Sequence, residues 1–125
     1  MSACLVTGGA GFIGSHVVDA LVSRGDSVRI VDDLSTGSRE NLTTSSKIEF
    51  VQADLAEPGV APDAVDGVEM VVHLAAIPSV PRSVHEPART HRANVEATQA
   101  LLLASRDANV RRVVQASSSS IYGES

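Results

Sequence analysis

Residues 7–16 read Thr-Gly-Gly-Ala-Gly-Phe-Ile-Gly-Ser-His, with Gly8, Gly11 and Gly14 recurring at every third position. That spacing suits a chain that turns sharply at Gly8, brings bare backbone up to a phosphate at Gly11 and packs a helix closely on a strand at Gly14. Amides at the start of such a helix point where the positive end of its dipole points, so the turn can hold an anion. Roughly twenty residues beyond the glycines, at the end of the next apolar run, stands Asp32, where a carboxylate accepts hydrogen bonds from an adenosine ribose. The combination predicts a dinucleotide site. A carboxylate repels a 2′-phosphate, which favours NAD over NADP, although Arg39 is near enough in sequence to keep NADP open. Taken singly, Asp32 and Asp33 are ordinary turn residues after a strand. Strand, glycines, helix and acid in one order carry the reading.

Other chemistry is sparse. His16, His73, His85 and His91 show no i, i+4 pairing and no cysteine or carboxylate at ligand spacing, so no metal site is expected. His73, inside Val71-Val72-His73-Leu74, reads as a packed strand residue. The single cysteine, Cys4, cannot form an internal disulfide; it lies in an apolar run as a buried thiol suited to a reducing compartment. The net charge is −5 and the arginines are scattered, which argues against nucleic acid or anionic membrane as partner. Arg106, Arg111 and Arg112 read as a helix end and solvated surface. The N-terminal apolar run breaks at Gly8, too early for a signal peptide or membrane span, so cytoplasm is the expected compartment.

The elements that must position these residues alternate. Short β-branched runs at 3–6, 27–31, 48–52, 69–74 and 111–116 are separated by helical stretches, and their near-continuous apolarity is that of strands covered on both faces. Ile13, Val17, Val18, Leu21 and Val22 form one helical stripe, closed by Arg24-Gly25. A longer helix over 87–109, with Pro87 in its first turn, places Val95, Thr98 and Leu102 on one face. Pro78 and Pro81 predict an irregular loop over 77–83, at the carboxyl end of the fourth strand where ligands bind. Short helices or turns are expected over 36–46 and 56–65. The chain therefore reads as one α/β domain over 1–125, a Rossmann-type doubly wound parallel sheet of about five strands, incomplete and without a C-terminal substrate domain.

With residues 7–16 placed, together with Asp32-Asp33-Leu34-Ser35-Thr36-Gly37, Asp54-Leu55, His73-Leu74-Ala75-Ala76 and Ser117-Ser118-Ser119-Ser120-Ile121-Tyr122-Gly123, the chain resembles the extended short-chain dehydrogenase/reductase family. Within its NAD-dependent epimerases and dehydratases, the likeness is strongest to UDP-hexose 4-epimerases. The resemblance implies that Phe12 and Ile13 lend amides to the pyrophosphate, that Asp32 holds the ribose, and that Asp33, Leu34, Ser35, Thr36 and Gly37 line the adenosine side. Asp54 would accept from the adenine amino group with Leu55 against the ring. Leu74, Ala75, Ala76 and Ile77 would lie along the middle of the dinucleotide, and Asn94 near it; the alternative for Asn94 is a plain helix-surface residue. Ser79 and Arg82 would border the sugar, with Ser118 and Ser119. Ser118 is the implied catalytic hydroxyl, beside a tyrosine base whose pKa a lysine lowers. The implied reaction oxidises the sugar transiently at C4 and reduces it again on the other face. The implied partners are a nucleotide-sugar substrate and, for the whole protein, a second copy in a homodimer.

Two departures matter. The related 4,6-dehydratases carry an Asp-Glu pair where this chain has Ser119 and Ser120, and the decarboxylases a Glu where it has Ser120, so epimerisation is the preferred reaction. The family's Tyr-x-x-x-Lys cannot be assembled, because the only tyrosine is Tyr122 and the only lysine Lys47. The expectation is a fragment whose site is completed by residues outside it. Two alternatives stay open: a non-catalytic NAD-binding module, and a shortened inactive product with the run 111–116 as an exposed apolar edge.

Overall fold

Five parallel strands lie in the order β3-β2-β1-β4-β5, the order of a dinucleotide-binding sheet with its switch point between β1 and β4. The structure is a computed structural model that describes residues 2–35, 37–43, 45–76 and 80–117. Thr36, Ile77, Ser79, Ser118 and Ser119 lie outside the described residues. The elements are β1 (Ala3–Thr7), α1 (Phe12–Ser23), β2 (Ser27–Asp32), a 3₁₀ turn (Arg39–Asn41), β3 (Ile48–Gln52), α2 (Val60–Val65), β4 (Met70–His73), α3 (Val80–His85), α4 (Pro87–His91), a π turn (Arg92–Glu96), α5 (Ala97–Asp107) and β5 (Arg112–Gln115).

Side chains of successive strand residues point to opposite faces, and β1 shows why both faces had to be apolar. Leu5 joins Val71, Val31 and the α2 and α5 residues Ala64, Val65, Leu101 and Ala104 on one face. Its neighbours Cys4 and Val6 join Val28, Ile30 and the α1 residues Val18 and Leu21 on the other. Leu5, Ile30 and Leu101 are fully buried, each contributing about 2 kcal/mol relative to exposure. Cys4 is buried and free, and that burial pushes its thiol pKa up.

α1 ends as Arg24-Gly25 predicts. The Asp26 amide donates to Leu21 O at 3.0 Å and the Gly25 amide to Val22 O at 3.0 Å, the paired bonds of a Schellman turn, with Gly25 at φ +98°. Asp26 then receives the Ser2 amide at 2.9 Å and Arg24 Nε at 2.6 Å. The Ser2 bond first, with Arg24 behind it, holds the Asp26 carboxyl below the usual range.

Three expectations need correction. Ile13 is on the predicted stripe but 70% exposed, because the first turn of α1 overhangs the sheet end rather than lying on it. The long helix buries Ala97, Leu101 and Ala104, while Val95 and Leu102 are about half exposed. The π turn, where the Ala97 amide reaches back to Arg92 O, shifts the helical register and turns Ala97, Leu101 and Ala104 into the cluster shared with α2. The stretch predicted as an irregular loop over 77–83 is helical from Val80 onward, in α3; Pro81 falls in its first turn, where a missing amide proton is tolerated.

Candidate functional site

β1 delivers the chain to the cleft. The Gly8 amide donates to Val31 O at 2.9 Å, and the Gly11 amide to Gly8 O at 3.1 Å, folding residues 8–11 into a tight turn over the ends of β1 and β2. A Cβ on Gly14 would stand 2.1 Å from Gly8 O, and one on Gly8 2.9 Å from the Ala75 amide nitrogen. Helix, turn and the segment after β4 therefore meet backbone to backbone. A Cβ on Gly11 would meet only Gly8 O, at 3.3 Å, so the remaining approach to this backbone is open. The N-cap, Gly11, supplies no side-chain cap, and the first turn of α1 carries no acid, which leaves its amides available to an outside anion.

Asp32, at the end of β2, is buried. Its Oδ2 accepts from the Ala10 amide at 3.0 Å and its Oδ1 from the Leu34 amide at 2.8 Å. Each oxygen keeps a second lone pair, so the carboxylate is fixed and still able to accept from a diol. Leu34 adopts φ +62° to make this turn, and Asp33 Oδ1 accepts from the Ser35 amide at 2.9 Å. Arg39, weighed above as a phosphate partner, instead lies over the Phe50 ring at 4.6 Å.

Across the cleft, Thr7 Oγ1 accepts from the Leu74 and Ala75 amides at 3.0 and 3.1 Å. It also lies 2.6 Å from His73 Nδ1, whose ring continues to Thr98 Oγ1 at 2.7 Å. His73 is 4% exposed, and that burial pushes its pKa down. It acts as the packed strand residue expected.

These walls enclose a cleft of about 410 Å³, within the range of small-molecule sites. The structure brings Gly8, Gly11, Phe12, Ile13, Gly14, Asp32, Asp33, Ser35, Asp54, Leu55, Leu74, Ala75 and Ala76 onto its lining. Leu34, Gly37 and Asn94 are not on it among the described residues; Leu34 and Gly37 build the turn behind Asp32, with Gly37 packed on Ala10. Arg82 falls in α3. The cleft also takes Arg89, Arg92, Ala93 and Ala97 from the long helix, which the sequence reading missed. Their spacing of three to four residues is a legible helical face, but it lies beside a more conspicuous apolar stripe.

Arg92 pairs through Nε with Asp54 Oδ2 at 3.0 Å and through Nη2 with Glu57 Oε1 at 3.0 Å. The bond to Asp54 raises the Arg92 pKa further above its ordinary value. Among the described residues no group of three or more His, Cys, Asp or Glu could hold a metal, and no helix is long and apolar enough to cross a membrane.

A parallel sheet of this order, with a glycine turn and a buried acid at its switch point, defines a Rossmann-type dinucleotide-binding fold. The profile of the NAD dependent epimerase/dehydratase family matches residues 4–125, and the chain belongs to that family. It is 46% identical over 124 residues to a UDP-glucose 4-epimerase of Mycolicibacterium smegmatis, covering 95% of this chain and 40% of that protein. Among solved structures, it matches the UDP-N-acetylglucosamine 4-epimerase of Methanobrevibacter ruminantium M1 in complex with UDP-N-acetylmuramic acid, with TM-score 0.93 and 40% identity over 99% of this chain and 40% of that one. It also matches the UDP-glucose-4-epimerase of Stenotrophomonas maltophila with bound NAD and formylated UDP-arabinopyranose, with TM-score 0.90 and 34% identity over 100% of this chain and 39% of that one. The chain thus spans 40% of the length of the first of these relatives.

Proposed function

We propose that the cleft binds NAD and that residues 1–125 are the NAD-binding domain of a nucleotide-sugar 4-epimerase, with a UDP-hexose as substrate. The carrying observation is the junction of the glycine turn, the buried Asp32 and the Leu74–Ala75 backbone around one cleft. The residues present fit the cofactor: an uncapped helix start with open backbone at Gly11 for the pyrophosphate, and a fixed acceptor for a ribose diol. Arg39 held over Phe50 supports NAD over NADP, since no cation is then directed at the 2′ position by that residue.

When bound, NAD supplies reversible hydride acceptance; the protein supplies orientation and proton handling. Ala116 lines the cleft immediately after β5, so the chain enters the serine run at the cleft, which supports Ser118 as the hydroxyl that would hold the sugar. Ser119 and Ser120 lack the acids that elimination or decarboxylation requires, which supports epimerisation. The exposed Val95, Leu102 and Leu103 on the long helix support the homodimer expected of the whole protein, and the buried free Cys4 suits a reducing cytoplasm.

Calorimetric titration of the chain with NAD and with NADP, beside Asp32→Ala, tests the cofactor reading. NAD uptake that exceeds NADP uptake and is weakened by the substitution supports it. A folded chain that takes up neither removes it.

A further inference from the structure

We propose that Arg92 is a positioning residue for the adenosine end of the cleft, fixing the Asp54 carboxylate and tying the β3–α2 loop to the neighbouring long helix at the cleft's edge. The proposal rests on the NAD reading above. Asp54 follows β3, and its Oδ1 accepts from the Ala56 amide at 2.9 Å. Its Oδ2 is 3.0 Å from Arg92 Nε. With one oxygen held by backbone and the other by a guanidinium, the carboxylate has one orientation, yet it retains lone pairs to accept from an amino group. The same guanidinium reaches Glu57 through Nη2 at 3.0 Å, so one planar fork grips two acids of a single loop. A lysine offers a point charge and cannot hold both at fixed angles.

Arg92 is placed for this by the π turn it opens, a distortion of the kind that recurs at functional sites. Arg92 and Asp54 both line the cleft, on neighbouring segments that pack together on one face of the sheet. Their side chains are 42% and 36% exposed, and ion pairs so exposed contribute little to folding. The pair's effect therefore falls on the geometry of the cleft and on ligand affinity.

The test is calorimetric titration of the chain with NAD for wild type, Arg92→Gln, Arg92→Lys, Asp54→Asn and the double variant Arg92→Gln/Asp54→Asn, with a thermal melt of each. Arg92→Gln is expected to weaken NAD binding about fivefold or more, as for neighbours in one ion-pair network, with Tm within about 2 °C of wild type. Arg92→Lys is expected to restore only part of the loss, and the double variant to bind no worse than Asp54→Asn alone. Arg92→Gln binding within about twofold of wild type overturns the role of Arg92 and leaves the NAD reading standing. So does a double variant whose losses multiply, or a loss of affinity that tracks a fall in Tm. A folded wild-type chain that takes up no NAD overturns both.

Discussion

Thr7 Oγ1 lies 2.6 Å from His73 Nδ1, and the bonds around the pair fix which atom carries each proton. Thr7 Oγ1 already accepts from the Leu74 and Ala75 amides, so its own proton is directed at Nδ1. On the other side Thr98 donates to Asn94 O at 2.9 Å and must accept from His73 Nε2. His73 is therefore neutral, protonated on Nε2, and it bolts β1 and β4 to the long helix beneath the cleft. Nitrogen chemical shifts of the ring at pH 7.5 are expected to show this tautomer.

The same arrangement makes stability fall with acid. Burial lowers the folded-state pKa of His73 below 6.5, so between that lowered value and about 6.5 the unfolded chain binds the extra proton, and stability drops as pH falls through the window. A protonated Nδ1 would also confront a hydroxyl whose lone pairs are taken. Urea unfolding of wild type is expected to lose up to about 1.4 kcal/mol per pH unit below pH 6.5, and His73→Leu to lose that slope whatever its absolute stability. An unchanged slope in the variant assigns the dependence elsewhere.

Thr7→Val keeps the shape of a fully buried side chain and removes its oxygen. The Leu74 amide retains a second acceptor in Thr7 O at 3.1 Å, but the Ala75 amide loses its acceptor and His73 Nδ1 its donor. Each orphaned group costs about 1–3 kcal/mol, so Thr7→Val is expected to lower the unfolding free energy by at least about 2 kcal/mol, while Thr7→Ser, which keeps the oxygen, loses much less. A Thr7→Val chain within about 0.5 kcal/mol of wild type in urea denaturation removes this role from the oxygen.

The strands and the glycine turn were legible because their causes are local. A strand covered on both faces, as Cys4, Leu5 and Val6 show, is apolar at nearly every position, and a short run of that kind between turn signals reads as a buried strand. Gly14 has to be glycine because backbone lies where its Cβ would be. The long helix was not legible in the same way. Val95 and Leu102 are as apolar as the residues it buries, and only the π turn and the packing against α2 decide for Ala97, Leu101 and Ala104. Arg92 was hidden for a different reason: its partners Asp54 and Glu57 are remote in sequence, and nothing in the local pattern separates a cleft-lining arginine from a solvated one.

Arg29 shows how a charged residue can sit in a central strand. Its Nη1 donates to Ala64 O at 2.8 Å and Asp66 O at 2.9 Å, closing the carboxyl end of α2, while Nε meets Glu49 at 3.2 Å. A cation at a helix C-terminus is favourable by about 0.3–1 kcal/mol, and the last carbonyls lose a donor without it. Arg29→Met should cost about 1–2 kcal/mol in chemical denaturation, with Glu49→Gln nearly silent because that carboxylate is half exposed.

Gly14, in the first turn of α1, and Gly25, just past its end, need glycine for different reasons, which alanine substitution separates. At Gly14 a Cβ would fall 2.1 Å from Gly8 O and 2.8 Å from Gly9 Cα. Both are backbone, so relief requires the helix to back away from the turn. Gly14→Ala should then cost about 3 kcal/mol or more, as overpacking against atoms that cannot repack, and should also weaken NAD binding, because the displaced turn forms the wall of the cleft. At Gly25 a Cβ would meet nothing within 4 Å, but φ is +98°. Gly25→Ala should cost only about 1–2 kcal/mol of backbone strain and leave NAD affinity unchanged, since this turn precedes β2 at the end of the sheet away from the cleft. Unfolding and titration of both variants decide the matter: a Gly14→Ala chain as stable as Gly25→Ala, with wild-type affinity, would mean that the helix tolerates the displacement and that the close approach at Gly14 is not what shapes the site.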